Sequence, residues 1–223
     1  MFQKKLITEK SVSAESIDGL RDILESDFQP KYFTTSLRDL DLHEDGTVTA
    51  EGKRWHCTEE FMRKVAKAIG MPINYAYKID FALFKENFNR RKTLDCRGVK
   101  ICISRGYAVN VCKADYFPAR TVDILENLPD RFRNFRFNNA AVSDSSVEIS
   151  WCDEKMQINP QPGDTILGGI KLTNSETGST GLRASLFTLR LVCSNGCVIL
   201  DEKYSTRWSY DRRMTYSLSL IHI

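Results

Sequence analysis

The residues that invite a chemical reading lie between Leu172 and Leu200, "LTNSETGSTGLRASLFTLRLVCSNGCVIL". A Gly/Ser/Thr stretch there separates two apolar runs and leads on to Cys193 and Cys197. A phosphate-cradling loop needs G-x-x-x-x-G-K-[ST] opening a helix, so that successive N–H groups converge on the anion. Gly178 and Gly181 are followed by no Lys-Ser/Thr pair, and "LRASLFTLRLV" after them is strand-like. Structural zinc needs four ligands. Cys193 and Cys197 have no second close Cys or His pair, and Asn195-Gly196 as a two-residue hairpin turn sets the two thiols on opposite sides of a sheet. Thiol catalysis needs a base beside the sulfur, for which the candidates are His43 and His56. Asp153-Glu154 and Asp201-Glu202 fall at turns, where solvated charge accounts for them. No catalytic residue, metal ligand or cofactor is expected. The stretch reads as two consecutive antiparallel hairpins whose polar residues serve turns, unless residues from elsewhere complete a site.

Binding is the other chemistry the residues allow. Residues 90–136 hold eleven Lys/Arg against five Asp/Glu, while the rest of the chain is slightly acidic. In "RFRNFRF", strand alternation sets Arg131, Arg133, Phe135 and Phe137 on one face and Phe132, Asn134 and Arg136 on the other. Guanidinium groups beside aromatic rings neutralise phosphates and stack bases. The competing reading puts the phenylalanines in the core with the arginines lying over a sheet edge. Arg90, Arg91, Lys92, Arg97, Lys100 and Arg105 extend the same basic character, or simply solvate a helix end. The expected partner is DNA or RNA, with self-association as a further expectation.

The rest of the sequence sets the frame. At 223 residues and 42% hydrophobic content the chain is too apolar for disorder and long enough for one good core. No apolar run suits a membrane span and no signal peptide is legible. The seven cysteines, an odd set in settings such as "KICIS", read as buried thiols of a reducing compartment, which points to the cytoplasm. Back-translation of Leu218 to Ile223, "LSLIHI", permits a transposase-end sequence used to tag sequencing libraries. The expected division is an arm with a small hairpin over 1–54, an α+β core over 55–217, and an adapter-derived end over 218–223.

Several elements must position these residues. Ser13 or Ser16 caps a helix through "SIDGLRDIL", and Asp45-Gly46 turns into "TVTAE". Thr58 caps a helix whose stripe is Phe61, Met62, Val65 and Ile69, stopped by Gly70 and Pro72. A second helix is predicted from Ile73 to about Asn87 and a third from about Ala119 to Leu128, before Pro129. "GVKICISRGYAVNV" alternates as a strand pair turning at Arg105-Gly106. "FRNFRFNNA", "SSVEISWCD" and "MQINP" read as strands, with "NNAAVSDS" separating the first two. The fold class expected is α+β, with a largely antiparallel sheet and a few helices packed on one face.

The order of these features resembles the phage/plasmid-like family known as domain of unknown function 932, over roughly residues 55–200. The resemblance rests on "CTEEFMRKVAKAIGMPINY", "ENFNRR", "VKICISRGYAVNV" and the block from Gly163 to Gly196. Its most specific part joins Asn174, Ser175 and Gly178 with Arg190, Cys193, Asn195 and Gly196. Cys102 and Gly106 depart from the plainer S-x-x-Y strand of that family. The resemblance implies a mobile-element context and no settled activity. The leading expectation is a nucleic-acid-associated protein of a phage or plasmid. The alternatives are an enzyme acting on nucleic acid, with Cys193, Asn195 and His56 as its polar cluster, and a protein-interaction module directed at a host factor.

Overall fold

The computed structural model describes residues 6–8, 10–26, 28–93, 98–128, 135–161, 164–191 and 198–208. The fold is α+β, with its strands in two six-stranded sheets where a single sheet was expected. The first sheet uses one contiguous piece of chain: β2 (Lys31–Ser36), β3 (Asp41–Leu42), β4 (Thr47–Ala50), β5 (Lys53–Cys57), β6 (Gly98–Ser104) and β7 (Tyr107–Lys113), in the order β2-β6-β7-β5-β4-β3. The second joins β1 (Ser11–Ala14) to β8 (Arg136–Ser143), β9 (Val147–Gln161), β10 (Asp164–Asn174), β11 (Leu182–Leu191) and β12 (Val198–Trp208), in that order. Every adjacent pair is antiparallel except β5 with β7. The strands therefore change sheet twice, between β1 and β2 and again between β7 and β8. The hairpin near residue 47 belongs with 98–113, and of the N-terminal arm β1 and α1 belong with the second sheet while Leu6 packs on the first core and the Ile7 amide donates to Cys57 O at 3.0 Å.

Each sheet packs helices on one face. In α1 (Ile17–Ser26), Ser16 Oγ accepts from the Gly19 amide at 3.0 Å, and Leu20 and Leu24 are buried. In α2 (Glu59–Ala68), Thr58 accepts from the Phe61 amide, Glu59 and Glu60 occupy the positive end, and Phe61, Met62, Val65 and Ala66 are buried. That face meets Val48, Ile101 and Ala108 of the first sheet, together with Phe84 and Phe88. The expected helix from Ile73 to Asn87 is two helices, α3 (Ile73–Ala76) and α4 (Phe81–Lys92). Asp80 breaks it: its backbone is extended and its carboxylate accepts from the Leu83 amide at 2.8 Å, so it starts a new helix as an N-cap. The third helix, α5 (Thr121–Glu126), is shorter than predicted at both ends. With α1 it covers Ala140, Val142, Ile149, Trp151 and Leu172 of the second sheet.

Turns follow local chemistry closely. Glu51-Gly52 and Arg105-Gly106 both hold two residues at positive φ, the I′ arrangement that matches strand twist. The separator expected at "NNAAVSDS" lies further on. Asn138 to Ser143 continue β8, and the chain turns at 144–146, where Ser143 Oγ accepts from the Ser145 and Ser146 amides. "SSVEISWCD" and "MQINP" form one 15-residue strand, β9, interrupted by a slip in register. Among the described residues no helix is long and apolar enough to cross a membrane.

Candidate functional site

The alternation of β6 decides where polar chemistry gathers. Val99, Ile101 and Ile103 enter the first core, so Lys100, Cys102 and Ser104 face the other way. Tyr32 of β2 and Asn110 of β7 are both paired with Cys102, and Cys112 with Lys100, so all share that outer face. The turn after β10 lands on it. Thr177 O accepts from Asn110 Nδ2 at 2.6 Å and from Cys112 Sγ at 3.3 Å. Ser175 O accepts from the Tyr116 hydroxyl at 3.0 Å, and the Tyr32 hydroxyl donates to Glu176 O. Ser175 Oγ donates to Ser145 O at 2.5 Å and accepts from the Ser179 amide at 2.9 Å. Asn174 donates to Ala119 O and to Thr121 Oγ1, both at 2.9 Å, and the Thr121 amide donates to Glu176 at 2.7 Å.

This arrangement accounts for Asn174, Ser175 and Gly178. Gly178 has φ +80°, and a Cβ there would lie 2.6 Å from Cys112 Sγ, so the backbone must come close and turn left-handed. Asn174 and Ser175 are fully buried and satisfied. The segment is thus a clasp between the two sheets, assembled with residues from elsewhere in the chain, and its polar groups are spent on holding that junction. Beside it lies a cavity of about 20 Å³ lined in part by Ser104, Asp144, Glu176 and Thr177, room for one water. Burial raises the Glu176 carboxyl above its ordinary value, partly opposed by the hydrogen bonds from Thr121. Burial also raises Cys102 and pushes Cys112 up to about 11, so neither is the thiolate that nucleophilic chemistry needs.

The expected basic surface is divided by the structure. Arg90 pairs with Glu86 at 2.6 Å, and Arg90, Arg91 and Lys92 occupy the last turn of α4, where they complement the helix dipole. Lys92 also donates to Leu40 O at 2.6 Å and stands over the Phe88 ring. Arg105 is committed to Asp144 and lies over the Phe28 ring. Phe135 and Phe137 pack against the second core, while Arg136 is exposed, so these two rings present no stacking platform; Phe132 lies outside the described residues. Arg97, Arg131, Arg133, Cys193, Asn195 and Gly196 lie outside the described residues, as does the suspected adapter end. Arg190 is exposed on β11. His56 is exposed on β5, paired with Thr47 and Tyr107, and His43 meets Thr49 Oγ1 at 2.8 Å. No group of three or more His, Cys, Asp or Glu side chains is placed to hold a metal among the described residues.

One surface feature escaped the sequence reading. The connection from β7 to α5, "KADYFPAR", carries Phe117 at 63% exposure, with Lys100 Nζ 5.0 Å from its ring centre. Lys100 also donates to Tyr116 O at 2.8 Å, which fixes the loop that holds the ring out. Lys113 and Arg120, at the two ends of the connection, are exposed. The available signal was an aromatic residue before Pro118 in a polar, basic connection, a place where burial has no ready partner.

Searches against protein-family models, curated proteins and solved structures find no match to this chain.

Proposed function

We propose that this protein binds nucleic acid, and that the phage or plasmid context suggested by its sequence motifs is where it does so. The observation that carries the reading is Phe117, an aromatic ring held in solvent beneath a lysine ammonium, with Lys113 and Arg120 at the ends of its loop. An exposed ring stacks a base of any sequence, and flanking cations neutralise the adjoining phosphates. Lys100 belongs to both the basic set expected from sequence and this patch. The stacking role passes from Phe135 and Phe137 to Phe117, because the first two are turned to the core. The reading is of a binding protein, since the hydroxyl, thiol and carboxyl groups of the inter-sheet clasp are engaged with one another and with backbone.

Anisotropy titrations of labelled single-stranded and duplex DNA and RNA across a salt series test it. Single strands should be preferred, and log affinity should fall linearly with log salt. Phe117→Ala should weaken single-strand binding by about 1–3 kcal/mol without altering thermal unfolding. Lys113→Ala with Arg120→Ala should flatten the salt dependence. Unchanged affinity in both variants would remove the reading and bring forward an interaction module directed at a protein.

A further inference from the structure

Both ends of the connection that carries Phe117 are tied down. On the side of β7, the Tyr116 amide donates to Lys113 O at 3.0 Å and Tyr116 O accepts from Lys100 Nζ at 2.8 Å. The Tyr116 hydroxyl reaches the second sheet, where Ser175 O accepts from it at 3.0 Å, and a Cβ on Gly178 would lie 3.1 Å from its ring. On the side of α5, Asn174 at the end of β10 donates one side-chain amide to Ala119 O and to Thr121 Oγ1, both at 2.9 Å. The Thr121 amide donates to Glu176 Oε1 at 2.7 Å, and the Tyr32 hydroxyl of β2 donates to Glu176 O. Between these ties stand Phe117 and Pro118, and the proline ring fixes its own φ and biases the residue before it toward extended backbone. Asn174 and Thr121 are fully buried, so the exposed ring stands on a short span whose feet are set in the core.

We infer that Asn174 and Glu176 are positioning residues for nucleic-acid binding, acting through the loop so that the Phe117 ring is already presented when a strand arrives. The inference rests on the nucleic-acid reading above and places the control of that patch in the inter-sheet clasp. An untied loop would lose its backbone freedom on binding, and that loss would appear as lower affinity; a tied loop has lost it on folding. Lys100 and Tyr32 come from the first sheet and residues 174–178 from the second, so the ring is presented while the two sheets are clasped. Glu176 separates positioning from electrostatics. A carboxylate near a polyanion repels it, so an electrostatic role alone would make Glu176→Ala and Glu176→Gln both bind more tightly. Positioning requires the opposite pattern, because glutamine keeps an acceptor for the Thr121 amide and alanine does not.

The test titrates the full chain into fluorescein-labelled oligo(dT) and oligo(U) and follows anisotropy. Asn174→Ala and Glu176→Ala should each bind about tenfold more weakly, and Glu176→Gln should stay within about twofold of the parent. With Phe117→Ala already in place, Asn174→Ala should change affinity by less than about twofold, since the ring it positions is gone. A residue that only stabilises the fold would lower affinity by the same factor in both backgrounds. Where circular dichroism shows that Asn174→Ala does not fold, Tyr116→Phe carries the same cycle: it removes one hydroxyl, keeps the ring beside Gly178, and should cost about threefold in affinity only while Phe117 is present. If the loop-anchor variants bind like the parent, lose affinity equally with and without Phe117, or if Glu176→Gln tightens binding as much as Glu176→Ala, the positioning role is wrong while nucleic-acid binding stands. If the parent binds neither oligonucleotide, or Phe117→Ala leaves its affinity unchanged, the nucleic-acid reading falls and this inference with it.

Discussion

Arg105 closes over Asp144 across the junction of the two sheets, its Nε 2.9 Å from Oδ1 and its Nη2 on Oδ2. Arg105 stands in the left-handed turn of β6 and β7, and Asp144 in the turn of β8 and β9 with its side chain fully buried. Ser104 adds a further bond to the same carboxylate.

Removing one partner of a buried pair leaves the other charge unpaired. Asp144→Ala and Arg105→Ala should each cost about 3–5 kcal/mol in urea denaturation, and the double variant should cost clearly less than their sum. Additive losses would mean that the two residues act separately.

Gly178 tests the clasp at its tightest point. Alanine there meets Cys112 and Tyr116 and must keep a positive φ. Gly178→Ala should destabilise by about 1–3 kcal/mol from overpacking, with about 1 kcal/mol more from the backbone. A companion Cys112→Ala should recover part of that loss in thermal unfolding, since it removes the atom nearest the new methyl.

Glu176 should leave a mark on pH dependence. Burial raises its folded value above the ordinary 4.5, so the folded protein holds this proton more tightly than the unfolded chain. Its contribution to stability is present below the ordinary value and is lost as pH rises through the raised one. Glu176→Gln keeps an acceptor for the Thr121 amide and removes the charge. Urea midpoints should show the variant at least as stable as the parent at neutral pH, with the advantage shrinking as pH falls toward 4.5.

Thiol reactivity should follow burial. Cys57 and Cys102 are inaccessible, and burial raises both well above the usual thiol value. In native protein neither should take up iodoacetamide at neutral pH over the time that complete alkylation needs in denaturant, as read by peptide mass spectrometry. Rapid native labelling of Cys102 would show that the clasp opens.

Local signals were legible wherever they were also decisive. Thr58, Gly70 and the stripe between them specify α2, and Arg105-Gly106 specifies its hairpin, because caps and turns are settled by a few adjacent residues. Asp80 was missed because a continuous apolar period ran through it, and its carboxylate acts as a cap only when the backbone there is extended. The second sheet and the clasp were not legible. Both depend on which strands meet across more than a hundred residues, as Ser11 meets Ser143, and on which face of β6 the turn at Ser175 covers. The outward Phe117 was lost among basic neighbours, and Phe135 and Phe137 show that alternation gives faces without saying which one is inside.

The route of the chain has a consequence for its synthesis. β2 to β7 are contiguous and can pair as they emerge, whereas β1 must wait for β8. Ser11 and its partner Ser143 are separated by 132 positions, so at about 5–20 residues per second the N-terminal strand stays without its partner for roughly 7–26 s on the ribosome. During that interval α1, at ten residues too short to be more than marginally helical alone, has no sheet to cover, so the first strand and helix of the chain depend on a strand made near its middle.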